Sequence, residues 1–309
     1  HQVTLWSREE DVAVDLRENR KNSRFFPGFT LPASVLVETD FAKAVAAAEL
    51  LIVATPIAGL RPTAESLKLL SCDLPLLWVC KGFEAGSGKL PHQVVREVLG
   101  ESLVCGALSG PSFAEEVASG QPTAVALAAN DPDFAREVSR QLHAGRFRVY
   151  ANDDLVGVEV GGAVKNVMAI ATGICDGLGL GLNSRAALMT RGLAEITRLG
   201  VAMGGRPETF AGLTGMGDLI ATCTSPLSRN RHVGVELGKG RPIADIIAGM
   251  NMVAEGVKSA PTVMALADRY DIAMPIARDV FDVTQGKRDA QEVFRGLLRS
   301  SVGDEAHPG

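Results

Sequence analysis

The residues best suited to acid–base chemistry lie in an apolar stretch between positions 157 and 200. Lys165 and Asn166 lie in the middle of a predicted helix whose other residues are almost all small or apolar. Lysine is rarely buried without a partner, and burial lowers its pKa, which makes it a usable proton donor and acceptor. The alternative is a structural lysine whose ammonium group extends to solvent. The small residues at positions 161–163 favour the catalytic interpretation, because they let a backbone or a flat ligand approach the lysine.

Two further segments follow predicted strands. Lys81 comes directly after the apolar run 76–80, at the carboxyl end of a strand, which is where open α/β sheets bind ligands. The alternative is a solvated loop lysine. The segment SGPSFAEE at positions 109–116 joins a strand to a helix, and its small residues and free N–H groups form a turn that accepts anions. The same segment is also typical of a well-capped helix start.

A carboxylate and a basic cluster follow the apolar stretch. Asp218 comes after the sequence GMG, where it is suited to cap a helix N-terminus. Ser228, Arg229 and Asn230 combine a hydroxyl, a guanidinium and an amide at a predicted helix start, which is a good phosphate site. As an isolated string, SRN is more often a solvated surface turn.

Composition excludes several classes of protein. The chain has 309 residues, of which 46% are apolar and 22% charged, and this is typical of a soluble globular protein. A net charge of -5 argues against a general nucleic-acid surface, and the absence of a long uninterrupted apolar run argues against a membrane span. The five cysteines are scattered, which indicates buried thiols in a reducing compartment, and we therefore expect a cytoplasmic protein. Neither they nor the histidines have metal-ligand spacing, so we expect no metal site.

Hydrophobic periodicity divides the chain at about residue 152. Before it, seven apolar strands alternate with helical patterns, which predicts a mostly parallel α/β sheet covered on both faces. After it, strand patterns stop and nine helical patterns follow. We therefore predict an α/β domain over residues 1–152 and an all-α domain over residues 153–309. The predicted strands are 1–6, 34–38, 50–55, 76–80, 103–108, 123–128 and 147–150.

Several of these motifs, in this order, resemble one family. The sequence GGAVKNVMAIATGICDGLGLGLNSRAALMTRGLAEI, together with KG at 81–82, SGPSFAEE, GMGD and SRN, is similar to the bacterial-type NAD(P)-dependent glycerol-3-phosphate dehydrogenases. The resemblance implies a doubly wound Rossmann-type sheet followed by an all-α domain. It also implies that Lys165 is the catalytic acid/base, that Asp218 holds it for proton transfer, and that Lys81 faces both substrate and cofactor.

The same resemblance implies two sets of contacts. The implied substrate-binding residues are Lys81, Gly110, Ser112, Lys165, Asn166, Asp218, Ser228, Arg229 and Asn230. The implied residues bordering NAD(P)H are Arg8, Lys81, Ala114, Arg229, Val253 and Glu255.

One motif of the family is missing. A dinucleotide-binding sheet normally begins with a strand, a G-x-G-x-x-G turn and a helix, and this sequence contains no such turn. Residues 1–6 correspond to the family's second strand, so we expect one βα unit of roughly 25–30 residues to be absent from a shortened chain. The alternative is a natural chain with an impaired cofactor site. In both cases we expect the chain as given to bind dinucleotide weakly.

Arg8 lies where a dinucleotide fold contacts the adenosine ribose. An acidic residue there favours NAD, whereas a basic residue accommodates the 2′-phosphate of NADP, so Arg8 predicts a preference for NADPH. The alternative is a solvated arginine inside a capping box formed by SREE at positions 7–10.

The resemblance as a whole implies an NAD(P)H-dependent, reversible reduction of dihydroxyacetone phosphate to sn-glycerol 3-phosphate, which supplies glycerophospholipid synthesis. It also implies a homodimer. Two alternatives remain open at this point: a different β-hydroxyacid-type dehydrogenase with the same two-domain plan, or a non-catalytic dimeric scaffold that has lost its phosphate-binding turn.

Overall fold

The computed structural model describes residues 1–250 and 254–297. Its first half contains every strand of the described chain, and each predicted strand overlaps an observed one. The strands are β1 Val3–Trp6, β2 Lys21–Asn22, β3 Phe26–Thr30, β4 Val35–Glu38, β5 Leu51–Val53, β6 Leu76–Trp78, β7 Cys105–Ser109, β8 Thr123–Ala129 and β9 Phe147–Asn152.

Helices alternate with these strands and then make up the rest of the described chain. In the first half they are α1 Glu10–Glu18, α2 Phe41–Ala46, α3 Leu60–Leu69, α4 Pro91–Leu99, α5 Ala114–Ala118 and α6 Pro132–Leu142. In the second half they are α7 Leu155–Gly177, α8 Gly181–Ala202, α9 Pro207–Phe210, α10 Asp218–Thr224, α11 Arg229–Gly238, α12 Ile243–Ala248, α13 Glu255–Arg269, α14 Pro275–Thr284 and α15 Ala290–Leu297.

The main sheet has five strands in the order β5–β6–β7–β8–β9. All neighbours are parallel except β7 and β8, which are antiparallel. The sequence did not predict that reversal. A parallel crossover normally contains a helix that covers the sheet, but the short α5 between these two strands buries none of its side chains. The predicted Rossmann-type, mostly parallel sheet followed by a helical half is confirmed.

A second, two-stranded parallel sheet pairs β1 with β4. A Rossmann fold has the strand order 3-2-1-4-5-6. The observed order β4–β1 corresponds to strands 3 and 2 of this pattern, and β5–β6–β7 corresponds to strands 4, 5 and 6. Among the described strands, none corresponds to strand 1. Val3 of β1 and Ile52 of β5 are each about half exposed, at 48% and 49%. This split agrees with the predicted absence of the first βα unit.

Helix α7 lies at the centre of the helical half. Almost every residue from Leu155 to Cys175 is buried, because α8, α10, α11 and α13 pack around the helix. Among the described residues, α7 alone is long and apolar enough to cross a membrane, but 94% of its most apolar window is buried inside the protein. Its apolar composition is therefore accounted for by packing.

Helices α7 and α11 cross with their backbones in close approach. Gly173 and Gly177 of α7 face Gly234 and Gly238 of α11, and a Cβ atom on Gly173 would lie 2.2 Å from the carbonyl oxygen of Arg231. Only residues without side chains allow this approach. The crossing places the first turn of α11 beside the middle of α7.

Two local predictions were wrong. The SREE segment does not form a capping box: α1 begins at Glu10 after Glu9, whose side chain makes no capping bond. Asp218 is not a helix N-cap, because a π-helix over Leu213–Gly217 runs directly into α10 and makes Asp218 its first residue. The preceding helix, α9, ends at Phe210.

Candidate active site

Lys165 is buried in the middle of α7, where its side chain is 8% exposed. Its Nζ donates hydrogen bonds to Asp218 Oδ1 and to Thr222 Oγ1, the latter at 2.9 Å. Burial lowers the pKa of Lys165 to about 7; Lys81 also lowers it, and Asp218 only partly opposes this. Near neutral pH this group therefore exists in both protonation states, which suits a proton donor that is also an acceptor.

Asp218 lies between two lysines. Its Oδ2 accepts a hydrogen bond from Lys81 Nζ at 2.6 Å, while Oδ1 binds Lys165. Burial by itself would raise the pKa of Asp218, but the two ammonium groups outweigh it and the net pKa lies below the usual value. Two positive groups thus surround one carboxylate, which leaves the cluster with excess positive charge.

The glycines before Lys165 allow this cluster to form. A Cβ atom on Gly161 would lie 2.6 Å from the carbonyl oxygen of Thr214, so the π-helix rests directly on α7. A Cβ atom on Gly162 would lie 2.9 Å from Ser109 Oγ and 3.4 Å from Lys81 Cγ. The backbone approach that the sequence predicted at positions 161–163 therefore occurs. The group that approaches these glycines belongs to the protein itself and is not a ligand. This close packing brings both lysines to Asp218.

Thr222 belongs to this cluster, although sequence reasoning missed it. Its hydroxyl donates to the main-chain oxygen of Asp218 at 2.6 Å, which leaves its lone pairs free to accept from Lys165. The available signal was the spacing D-x-x-x-T, which places two side chains on one face of a helix.

Asn166 and Asn230 form a second buried group. Asn230 Nδ2 donates to Asn166 Oδ1 at 2.9 Å, and Asn230 Oδ1 accepts from the Gly256 N–H at 2.8 Å. These bonds tie α7, α11 and α13 together immediately beside Lys165. Ser228 caps α11 by accepting a hydrogen bond from the Arg231 N–H at 3.2 Å.

Arg229 and Glu255 lie at the edge of this group. Arg229 is exposed at the first position of α11. Burial raises the pKa of Glu255, and the charges of Lys258 and Arg229 oppose that rise, so the guanidinium lies within electrostatic range of the carboxylate.

The remaining predicted residues have different surroundings. Gly110 has a φ of +139°, a conformation that favours glycine, and its carbonyl oxygen accepts from Lys81 Nζ at 3.0 Å and from Ser112 Oγ at 3.2 Å. Ala114 is exposed at the start of α5. Arg8 is on the surface after β1, where it pairs with Glu9 at 3.3 Å. Val253 lies outside the described residues.

The chain combines a Rossmann-like sheet with a helical half, and both contribute to one lysine–aspartate–lysine cluster. This combination places the chain in the class of nicotinamide-dependent dehydrogenases. Two family models match the chain: the N-terminus of NAD-dependent glycerol-3-phosphate dehydrogenase over residues 1–135 and its C-terminus over residues 154–295. The chain belongs to the NAD-dependent glycerol-3-phosphate dehydrogenase family, and the resemblance found in the sequence is confirmed.

Individual relatives agree with this assignment. The chain is 66% identical over 305 residues to glycerol-3-phosphate dehydrogenase [NAD(P)+] of Dechloromonas aromatica (strain RCB), covering 99% of this chain and 93% of that protein. It is 59% identical over 308 residues to glycerol-3-phosphate dehydrogenase [NAD(P)+] 2 of Sphingopyxis alaskensis, covering 99% and 92%. The crystal structure of glycerol-3-phosphate dehydrogenase from Coxiella burnetii superimposes with a TM-score of 0.92 at 38% identity, covering 97% of this chain and 92% of that one.

Proposed function

We propose that this protein catalyses the reversible, NAD(P)H-dependent reduction of dihydroxyacetone phosphate to sn-glycerol 3-phosphate. The observation that carries the proposal is the buried Lys165–Asp218–Lys81 cluster, in a chain whose relatives bear the name of that enzyme. The nicotinamide, when bound, supplies the hydride. The residues of this chain supply charge, orientation and the proton.

The cluster is suited to the charge that develops during reduction. As the carbonyl carbon is reduced, its oxygen becomes negative, and the excess positive charge of Lys165 and Lys81 stabilises it. Lys165 then transfers its proton to that oxygen. Asp218 keeps Lys165 in place, and Thr222 fixes its direction. Because burial holds the pKa of Lys165 at about 7, the same group accepts the proton in the reverse reaction.

The substrate phosphate would bind at the N-terminus of α11. Arg229 offers an exposed guanidinium there, at the positive end of the helix. Gly110, Ser112, Asn166, Ser228 and Asn230 would complete the substrate site, as the resemblance implies.

Several residues suit parts of a dinucleotide other than its pyrophosphate, for which the sequence has no G-x-G-x-x-G turn. Arg8 has a side chain that is 74% exposed after the carboxyl end of β1, which suits the adenosine ribose or its 2′-phosphate. Ala114, Arg229, Val253 and Glu255 would border the rest of the cofactor with Lys81.

We further propose a dinucleotide-binding domain over residues 1–152 and a substrate-binding, catalytic domain over residues 153–309. The separate family matches to residues 1–135 and 154–295 support this division. The protein would act as a cytoplasmic homodimer, and its product would supply glycerophospholipid synthesis.

Arg229→Gln tests the substrate class. We expect this variant to raise KM for dihydroxyacetone phosphate roughly 10–100-fold, because charge-assisted hydrogen bonds contribute about 1.5–3 kcal/mol. Its kcat should change much less, because Arg229 is not in the lysine cluster. The assay follows NADPH oxidation with dihydroxyacetone phosphate and with unphosphorylated dihydroxyacetone.

Arg231→Gln is the matched control, since Arg231 binds Asp176 at 2.7 Å and is tied to the fold. Its KM should stay near that of the parent protein. Equal activity on the phosphorylated and unphosphorylated compounds would favour another β-hydroxyacid-type dehydrogenase. Complete inactivity of folded protein that does not bind NADPH would favour the scaffold that has lost its phosphate-binding turn.

Arg8→Asp tests the cofactor preference. The substitution should lower the ratio of kcat/KM for NADPH to kcat/KM for NADH by at least about tenfold, because an aspartate repels the 2′-phosphate and accepts from a ribose hydroxyl. Arg17→Asp, at the other end of α1, makes the same charge change away from that site and should leave the ratio unchanged. An unchanged ratio in both variants would mean that Arg8 is only a surface arginine.

A further inference from the structure

A second buried ionisable pair lies on α7, apart from the lysine cluster. Glu159 is 5% exposed, and His92, the second residue of α4, is 7% exposed. The His92 backbone N–H donates to Glu159 Oε1 at 2.9 Å, and His92 Nδ1 contacts Glu159 Oε2. The carboxylate therefore binds the positive N-terminus of α4 as well as the imidazole beside it.

The surroundings of the pair are buried. Burial raises the pKa of Glu159, while His92 and the Trp78 side chain oppose that rise. Burial raises the pKa of the Cys80 thiol to about 12 and that of the Cys105 thiol to about 11, and the charge of Glu159 adds to both shifts. Because a lone charge is costly in such a buried place, removing either partner should weaken the packing around the pair.

The position of this pair relates it to the active site. Glu159 precedes Lys165 by six residues on the same helix, which is about 9 Å along the axis. Trp78, the last residue of β6, precedes Lys81 by three residues. Gly162 lies between Glu159 and Lys165 in α7, and the aliphatic part of the Lys81 side chain packs against it. The His92–Glu159 pair thus joins α7 to α4, and the lysine cluster joins α7 to the segment that follows β6.

We propose that His92 and Glu159 are positioning residues for proton transfer: together they fix α7 against α4, and thereby set the distances among Lys165, Asp218 and Lys81. Neither residue touches the reacting atoms. The kinetic part of the test rests on the proposed function, whereas a direct titration of Lys165 does not.

Glu159→Leu removes both acceptors while filling a similar volume. When α7 is no longer held to α4, Lys165 should move away from Asp218. The pKa of Lys165 should then fall, because the carboxylate raises it less. We expect kcat for reduction to drop roughly tenfold, while KM for dihydroxyacetone phosphate stays within about twofold. The pH at which the rate of reduction falls to half its maximum should decrease by about half a unit or more. Glu159→Gln should recover most of this loss, because its amide oxygen accepts from the His92 N–H and its NH2 donates to a neutral Nδ1.

Glu195→Leu is the matched control. Glu195 is 1% exposed and accepts from the N–H groups of Ile276 and Ala277 at 2.7 and 3.1 Å, so it also joins a buried carboxylate to a helix N-terminus. Both leucine variants should melt at lower temperature. Only Glu159→Leu should change kcat and the pH profile, when both are assayed well below their melting temperatures.

A pH profile that stays in place or moves upward in folded Glu159→Leu would show that the pair only stabilises the fold. If Glu159→Leu does not fold, His92→Gln replaces it and must show the same downward movement, since it removes the imidazole but keeps the backbone bond. Carbon-13 NMR of the lysine side chains, with Lys165→Met for assignment, measures the pKa of Lys165 directly. A parent protein without activity would refute the proposed function. The positioning role would still be tested by comparing the pKa of Lys165 in the parent protein and in Glu159→Leu.

Discussion

Lys165→Met should lower kcat for the reduction of dihydroxyacetone phosphate at least about 10²-fold, with the fold intact. Methionine keeps the length and apolar stem of lysine, so α7 should pack as before. It removes the proton and the positive charge that meet the developing oxyanion. The measurement is kcat for NADPH oxidation on protein shown to bind NADPH, with circular dichroism to check folding.

The pH dependence supplies a second signature of Lys165. Reduction needs the ammonium form, so kcat/KM for reduction should fall as pH rises through about 7, where burial places the pKa of Lys165. Oxidation needs the neutral amine and should rise over the same range. Both changes should disappear in Lys165→Met.

Two further variants complete this test. Lys165→Arg should not restore activity, because guanidinium does not release its proton near neutral pH. Lys239→Met, on an exposed lysine at the end of α11, is the control for loss of a lysine charge. Near-normal kcat in a folded Lys165→Met protein would mean that the proton comes from elsewhere, with Lys81 the next candidate.

Asp218→Asn should have a similarly large effect, for a different reason. Without the carboxylate, the ammonium groups of Lys81 and Lys165 face each other across a neutral amide. We expect kcat for reduction to fall at least about 10²-fold at neutral pH, because Lys165 loses both its orientation and its protonated form. Its pKa should drop further below 7, so the remaining reductase activity should be highest at lower pH than in the parent protein.

Stability separates this effect from unfolding. Breaking a buried ion pair typically costs about 3–5 kcal/mol, so the melting temperature must be measured with the kinetics. Thr222→Val removes a neutral acceptor from the same ammonium and should change kcat in the same direction by less. A reduction profile that keeps its midpoint near pH 7 in folded Asp218→Asn would show that Asp218 does not control the protonation of Lys165.

The sequence by itself determined the main architecture. Alternating apolar strands and helices predicted the α/β half, and continuous helical periodicity predicted the other half, because both patterns record how a local segment is buried. It also singled out Lys165, since a charged residue inside an otherwise apolar helix either has a buried partner or extends its charged group to solvent. The family followed from the order of motifs, and the absence of the glycine-rich turn agrees with the split sheet.

Only the tertiary structure decided that Lys81 also binds Asp218. Lys81 and Asp218 are 137 residues apart in the chain, and no local pattern encodes a contact at that separation. Their meeting depends on Gly161 and Gly162, whose lack of side chains lets the π-helix and the stem of Lys81 lie on α7. The sequence also did not predict the His92–Glu159 pair, because its partners are far apart in the chain and each alone resembles an ordinary polar residue on a helix. Burial patterns are properties of single segments, whereas a proton-transfer site is a property of how several segments pack.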